Sequence, residues 1–489
     1  MRWVVLREFP APTAVGIDPS RQWLRTEGLA VGAATGLIIL ALLLWPALLN
    51  GYPLVFADTG TYLSQAIRHY VGWDRPAFYS IFLLVLHWKV TTWSVIVVQA
   101  ALTIYVLDAA RRGFMPELPQ WMLLPVVALL CITTPLPWFV DQIMPDLFTS
   151  LLTLVIAVLI LTPDRFSRME LRGLTLFSSW MIAAHLSNIW IALGLVCTLV
   201  SARHLLGANG QHRWRSAKRP FAAIALALLV LCSANLVTFG LFSISPFGNV
   251  FILARLVYDG PGLKTLDDDC ATRKWRLCRY LDVLPPHQTQ FPTSDYFIWQ
   301  SDGPVARLGG AKMITAEAKQ IIMSTIEEHP GAVIESSLAN LEQQLLRFQS
   351  GDGLNAWPDE VEPIIKRSFP AAEYRAFEAS RQSRGLMNVP TWLRFLHGAA
   401  FWGGLAATIG CLVVGLRRHR PLALLCAAIL LCLIGNAAVT GVLSGPHDRY
   451  QNRVIWLVML VPVMSGCHAW ASRRPASSTM RLTFTAGTI

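Results

Sequence analysis

Asp58 is the first residue of this sequence whose type and setting suggest chemistry. It follows a long apolar stretch, in Ala57-Asp58-Thr59-Gly60, and Arg75 comes later in the same polar segment. A carboxylate held at a membrane edge can act as a general base or bind a divalent cation. The alternative is an Asx-turn in which Asp58 caps a helix over 61–70.

A second polar segment, 138–147, contains two more carboxylates, Asp141 and Asp146. Asp146 follows Pro145 at the start of an apolar helix, where a negative charge is stabilised by the helix dipole. Asp141 has no such local explanation. We therefore predict Asp141 to be the second catalytic carboxylate, beside Asp58.

A third polar segment, 444–453, carries positive charge. Arg449 and Arg453 are four residues apart, so they share one face of a helix. Arginine forks match phosphate oxygens, and a helix N-terminus adds a favourable dipole. The predicted substrate-binding residues of this segment are His447, Arg449, Tyr450 and Arg453. The alternative is that the arginines pair with Asp448 or with lipid headgroups.

The elements that must position these residues are long apolar stretches. The chain is 54% hydrophobic and only 15% charged, against about a quarter charged in soluble domains, which excludes an ordinary cytosolic enzyme. A membrane-spanning helix needs about 20 apolar residues. The clearest candidates are 29–50, 92–110, 119–135, 147–162, 219–242, 392–416, 421–443 and 454–472. The first is predicted to be a retained helix, because no small-residue cleavage site follows it.

Charge predicts the topology. The net charge is +11, but the basic residues concentrate in short segments between apolar stretches, as in cytoplasmic loops, while 243–391 is slightly acidic. Nucleic acid is therefore not expected as a partner. We predict an all-α polytopic protein with about ten transmembrane helices, in the bacterial inner membrane, with both termini cytoplasmic.

Segment 171–203 has arginines at both ends, so the chain must cross the membrane an even number of times there. Its length suits two short helices broken near His185 and Asn188. Polar groups at that depth need a wet or protein-lined cavity, which predicts a cleft open to the outside. Segment 76–89 is too short to span easily and is predicted to be an outer-surface or re-entrant helix.

These features divide the chain into five parts. They are a cytoplasmic N-terminal segment (1–28), an N-terminal transmembrane module (29–242), a mainly helical extracytoplasmic domain (243–391), C-terminal transmembrane helices (392–472) and a cytoplasmic tail (473–489). Cys270 and Cys278 lie in the outer domain, on the oxidising side, where a disulfide is expected. Two unpaired thiols are the alternative.

Together the three polar segments describe one outward cavity. A carboxylate lies on one wall, the paired arginines lie on the other, and His185 and Asn188 lie at the base. Arg75, His185 and Asn188 are predicted to bind substrate as well. Such a cavity suits group transfer from a lipid phosphate: the carboxylate deprotonates an acceptor hydroxyl and the arginines stabilise the leaving phosphate.

These residues resemble the GT-C superfamily of integral-membrane glycosyltransferases, which includes protein O-mannosyltransferases, aminoarabinose transferases and oligosaccharyltransferase subunits. The resemblance lies in Asp58-Thr-Gly-Thr-Tyr62 with Arg75-Pro76, in the apolar run 77–110 ending at Arg111-Arg112, in the acidic second segment and in Arg449-Tyr450. It covers about 29–200 and 421–472 and is absent over 243–391.

The resemblance implies a GT-C-like fold and an inverting transferase that uses a polyprenyl-phosphate-linked sugar, with Asp58 at the catalytic position. The acceptor would be a glycan, lipid or protein, selected by the outer domain. Trp275, Trp299 and Trp357 would stack on sugar rings there, or else belong to the core.

The sequence departs from the family in two ways. The first segment has one carboxylate instead of an acidic pair, and the second reads Asp-x4-Asp instead of Asp-x-Asp. No cofactor is therefore certain; a divalent cation, Mg²⁺ or Mn²⁺, would be held by Asp58 and Asp141. The alternatives are a ligase- or polymerase-type enzyme centred on His447 and the arginines, a transporter or flippase, and a structural membrane scaffold.

Overall fold

The computed structural model describes residues 34–205, 210–285 and 294–473, and these ranges fold mainly into α-helices. They contain no β-strand, although an isolated parallel bridge joins Leu54 and Gln142. The predicted all-α class is therefore confirmed for the described residues. The predicted cytoplasmic segment 1–28 and nearly all of the tail 473–489 lie outside them.

Region 243–391 is called the outer region after its predicted location, and two 3₁₀ segments, Gln120–Met122 and Pro163–Arg165, lie among the helices that precede it. They are α1 (Ala34–Leu43), α2 (Trp45–Asn50), α3 (Ala57–Arg68), α4 (Ala77–His87), α5 (Trp93–Phe114), α6 (Leu123–Thr133), α7 (Leu136–Asp141), α8 (Leu147–Leu161), α9 (Arg168–Ala184), α10 (Ser187–Leu205) and α11 (Gly210–Phe239).

The outer region contains shorter helices and the 3₁₀ segment Arg276–Val283. Its helices are α12 (Gly248–Tyr258), α13 (Pro261–Arg273), α14 (Ser294–Trp299), α15 (Pro304–Arg307), α16 (Ala311–Glu328), α17 (Pro330–Leu346), α18 (Glu362–Ser368) and α19 (Ala371–Ala379). The chain then continues through α20 (Thr391–Arg418), α21 (Arg420–Leu443), α22 (Asp448–Ile455) and α23 (Leu457–Arg473).

Six helical stretches of the described chain are long and apolar enough to cross a membrane. They are Trp93–Phe114, Ser187–Leu205, Ala217–Phe239, Thr391–Arg418, Arg420–Leu443 and Asp448–Arg473. The predicted span 29–50 is divided into α1 and α2 within the described residues, and the predicted spans 119–135 and 147–162 contain the shorter helices α6 and α8. Ten crossings and their direction stay a prediction.

The predicted break in segment 171–203 is present. A capping box starts α9: the Ser167 hydroxyl accepts from Glu170 N at 3.2 Å, and the Glu170 carboxylate accepts from Ser167 N at 3.1 Å. The backbone of His185 is extended, and α10 begins at Ser187. The polar residues expected at the break therefore lie between two helices.

The outer region contributes to two hydrophobic cores. Helices α12, α13 and α16 build one of them, and Cys270 and Cys278 form the predicted disulfide against it. Helices α18 and α19 instead place Val361, Ile365 and Phe377 in the main core, which they share with the membrane helices. The later part of this region thus shares a hydrophobic core with helices that precede and follow region 243–391.

Candidate functional site

Asp58, predicted as a catalytic carboxylate, and Arg75, predicted to bind substrate, form an ion pair. Asp58 lies in the first turn of α3, and its Oδ1 accepts from Arg75 Nη2 at 2.8 Å, with side chains 18% and 23% exposed. A carboxylate in the first helical turn is stabilised by the helix dipole. Arg75 thus engages one of the two carboxylate oxygens of Asp58.

Thr59, not Asp58, caps this helix. Phe56 N donates to Thr59 Oγ1 at 2.9 Å, and the same hydroxyl donates to Ile143 O at 3.0 Å. Thr59 thus stabilises the start of α3 and ties it to the second polar segment. The Asx-turn alternative does not form, because α3 already begins at Ala57.

Gly60 allows the outer region to approach α3 closely. A Cβ at this position would lie 1.9 Å from Glu360 O, much closer than any real contact. Glu360 precedes α18, so the backbone of the outer region rests directly on the helix that carries Asp58. The Asp-Thr-Gly sequence therefore combines a chemical group, a cap and a close backbone contact.

Arg453 is completely buried and pairs with Asp146. Its Nη1 lies 3.0 Å from Asp146 Oδ1, and the two side chains are 0% and 1% exposed. Its remaining hydrogen bonds go to His185 Nε2, Ser187 Oγ and Asn436 Oδ1. Since an arginine has five N–H donors and all five have partners here, Arg453 has no donor left for a ligand.

The predicted base of the cavity is bonded internally. His185 accepts from Arg453 through Nε2 at 3.3 Å, and its Nδ1 lies 2.8 Å from Ser187 Oγ. Asn188 is fully buried, accepts from the Thr149 hydroxyl and donates to Met181 O. His185 thus belongs to the charged cluster, whereas Asn188 joins α8, α9 and α10.

Arg449 differs from Arg453 although the two lie one turn apart. Its guanidinium carbon lies 3.8 Å from the ring centroid of Phe56, a close cation–π contact. Its Nη1 is buried and has no hydrogen-bond partner. Asp58 and Asp146 are both near enough to interact electrostatically with it. Arg449 is therefore the arginine that can bind a ligand.

A small pocket of about 20 Å³ lies beside Arg449, enough for about one water molecule. Pro135, Trp138, Phe139, Gln142, Ser350, Gly351, Asp352, Leu354, Arg449 and Asn452 line it. Three of its buried polar atoms have no partner: Trp138 Nε1, Arg449 Nη1 and Asn452 Oδ1. Buried polar atoms are normally hydrogen-bonded, so these three are the candidate ligand-binding atoms of the pocket.

A larger apolar cleft shares Trp138 with this pocket. Its volume is about 700 Å³, within the range of ligand-binding cavities. It is lined by Ile38, Ala41, Leu42, Trp45, Leu49, Cys131, Ile132, Trp138, Arg381, Met387, Asn388, Pro390, Trp392 and Leu393. The small polar pocket and the apolar cleft are therefore adjacent, with the Trp138 indole between them.

Residues 344–352 of the outer region cover the site next to Arg449. Asp352 Oδ2 accepts from Arg449 N at 2.9 Å, and Asp448 Oδ1 accepts from Gln349 N at 2.6 Å. Gln344 bonds to both backbone groups of His447, at 2.8 and 2.9 Å. Segment 344–352 is therefore fastened to the N-terminus of α22.

His447 and Tyr450 lie at the edge of the cluster. Their rings are perpendicular, with centroids 5.5 Å apart, and burial lowers the pKa of His447. The Tyr450 ring lies 5.1 Å from the Arg449 guanidinium and 5.6 Å from that of Arg453. Tyr450 thus helps to hold both arginines.

Asp141 lies apart from this cluster. It is fully buried, accepts from Ala47 N through Oδ2 at 2.7 Å, and leaves Oδ1 without a partner. Burial raises the pKa of Asp141, which favours its uncharged form. Asp146, explained from the sequence by the helix dipole, is the carboxylate that the structure places beside the arginines.

The divalent cation considered from the sequence stays a prediction. Arg75 already neutralises Asp58, and Asp141 faces the backbone of Ala47. No group of three or more His, Cys, Asp or Glu side chains with metal-binding geometry occurs in the described part of the chain.

Sequence reasoning missed Phe56, Trp138, Asp352 and Asn452. Asp352 had a signal, because it lies between Gly351 and Gly353, both at positive φ, in a turn. The others look like ordinary loop and helix residues. Comparisons with protein-family models, with curated proteins and with solved structures find no match for this chain.

Proposed function

We propose that this chain is a GT-C-type membrane glycosyltransferase. It moves a sugar from a polyprenyl-phosphate donor to a glycan, lipid or protein acceptor on the outer face of the bacterial inner membrane, with both termini cytoplasmic. The observation that carries the proposal is Arg449, buried with an unpartnered Nη1 near the carboxylate of Asp58. A site that lowers the barrier to such a transfer needs both a base and a cation.

The donor phosphate binds to Arg449 Nη1 and to the indole N–H of Trp138. Both are buried donors without a partner, and both line the small pocket. The pocket must widen to admit a phosphate, and segment 350–354 forms its outer wall. Binding of the phosphate then satisfies two donors that are otherwise buried without partners.

The lipid part of the donor lies in the apolar cleft. This cleft shares Trp138 with the phosphate pocket, so a molecule with an apolar chain and an anionic head can occupy both. Arg381 and Asn388 are the polar exceptions among its lining residues. The isoprene units nearest the phosphate fill the cleft, and the remainder of the chain extends into the bilayer.

Transfer proceeds in one displacement. Asp58 takes the proton of the acceptor hydroxyl, whose oxygen attacks the anomeric carbon of the sugar. The bond from that carbon to the phosphate oxygen breaks, and the electron pair leaves with the phosphate. Arg449 stabilises the growing negative charge, while Arg75 holds the Asp58 carboxylate in place. A single displacement inverts the anomeric configuration.

The test is transfer of labelled sugar by the purified protein from a panel of polyprenyl-phosphate donors, with acceptor membranes supplied. We expect one donor class to transfer label. Replacing Arg449 by Gln should lower kcat/KM for that donor by about 10²- to 10³-fold, because a stabiliser of the developing charge is lost. Arg367→Gln, at an exposed arginine of α18, is the control and should keep its activity. No transfer from any donor, or full activity of the Arg449 variant, would contradict the proposal.

A further inference from the structure

An exposed aromatic surface lies next to Asp58. Trp299, at the end of α14, packs against Trp73 and Phe251 with ring centroids 5.6 and 5.8 Å apart. Its side chain is 43% exposed. Two rings thus support a third that faces solvent.

Of the three tryptophans considered for stacking on sugar rings, Trp299 is the one whose ring is free to contact a ligand. Trp275 is only 7% exposed and belongs to the core of that region. Trp357 packs on Phe56, with centroids 5.0 Å apart, and donates to Gly353 O. Trp275 is therefore a core residue, and Trp357 packs against Phe56. Neither role accounts for the exposed ring of Trp299.

Arg75 links this surface to the proposed base. Its guanidinium carbon lies 5.5 Å from the Trp299 ring centroid, while its Nη2 donates to Asp58 at 2.8 Å. Asp74 precedes Arg75, and its backbone carbonyl accepts from the same guanidinium. One arginine thus separates the exposed indole from the carboxylate, a distance that one or two sugar rings can bridge.

We propose that Trp299 is a binding platform for a carbohydrate acceptor. The apolar C–H face of a pyranose ring packs on the indole, and a hydroxyl of that sugar or of its neighbour reaches Asp58. This inference rests on the proposed function and names the acceptor class that the proposed function leaves open. Arg75 and Asp58, beside the Trp299 ring, can form hydrogen bonds with the hydroxyl groups of such a sugar.

A peptide acceptor fits this surface less well. Extended peptides commonly bind by adding a strand to an exposed sheet edge, and the described residues contain no sheet. A flat indole with an ion pair at its margin instead matches a ligand with an apolar face and a polar rim. A carbohydrate is therefore the ligand that this surface fits best.

The experiment measures binding without any donor. Maltose, cellobiose, lactose and chitobiose are tested by saturation-transfer NMR against the full-length protein in detergent, with a Ser/Thr-containing peptide as the other class. We expect ring C–H protons of at least one disaccharide to receive saturation. Trp299→Ala should weaken its binding about tenfold or more, whereas Trp299→Phe should keep most of it.

The control is Trp88→Ala, at an exposed tryptophan after α4 (77% exposed), which should bind like the wild type. Binding of no disaccharide, binding of the peptide alone, or equal binding by wild type and Trp299→Ala would each overturn the inference. Saccharide binding that depends on Trp299, without transfer from any donor, would contradict the proposed function and leave this inference standing.

Discussion

Replacing Asp58 by Asn is expected to reduce sugar transfer by about 10²- to 10⁴-fold while leaving donor binding intact, since the amide cannot take a proton. Asn has the same shape, and its Oδ1 can still accept from Arg75, so α3 keeps its position. The measurement compares kcat with the dissociation constant of the donor. We expect kcat to fall and the dissociation constant to stay within a factor of about two.

Asp141→Asn is the matched control. Its amide oxygen can accept from Ala47 N as the carboxylate does, and the carboxyl it replaces already favours the uncharged form. Transfer by this variant should stay close to that of the wild type. Full activity of Asp58→Asn would remove Asp58 from the mechanism, and inactive Asp141→Asn with intact folding would restore Asp141 as a catalytic carboxylate.

Replacing Arg453 by Gln is expected to destabilise the protein by about 3–5 kcal/mol, because it leaves Asp146 as a buried charge without its partner. Thermal unfolding in detergent measures the effect. The double variant Asp146→Asn/Arg453→Gln should be more stable than the sum of the single effects predicts, since it removes both charges of the pair.

Arg112→Gln provides the comparison. Arg112 also pairs with carboxylates, Asp108 and Glu170, but its side chain is 30% exposed, and such a pair contributes about 1 kcal/mol or less. A stable but inactive Arg453→Gln variant would contradict the structural role and would make Arg453 a ligand for substrate.

Much of the fold could be predicted because its signals are local or simply additive. Apolar stretches mark most of the helices, and basic residues at both ends of 171–203 predicted the break that the structure shows between α9 and α10. Cys270 and Cys278 pair because they are close in the sequence. Region 243–391 was less predictable, since the packing of Val361 and Phe377 in the main core depends on long-range contacts.

The site shows where local reasoning ends. Asp58 and Arg75 belong to one short segment, which placed both in the predicted site, but their ion pair is a finding of the structure. Asp146 looked like a helix-stabilising residue because its partner, Arg453, lies 307 residues away. Arg449 and Arg453 share one helix face, as predicted, yet one turn of α22 separates a guanidinium with five hydrogen bonds from one with an unpartnered Nη1. No pattern in the sequence distinguishes them.

The long separation of Asp146 from Arg453 has a consequence for synthesis. A ribosome that adds about 5–20 residues per second needs roughly 15–60 s to pass from one to the other. During that interval Asp146 enters its surroundings without the cation that later neutralises it. Until α22 has been synthesised, the Asp146 carboxylate must therefore stay hydrated, bind a proton or contact the insertion machinery. A chain that stops before Asp448 lacks Arg453 and therefore leaves Asp146 without its cation.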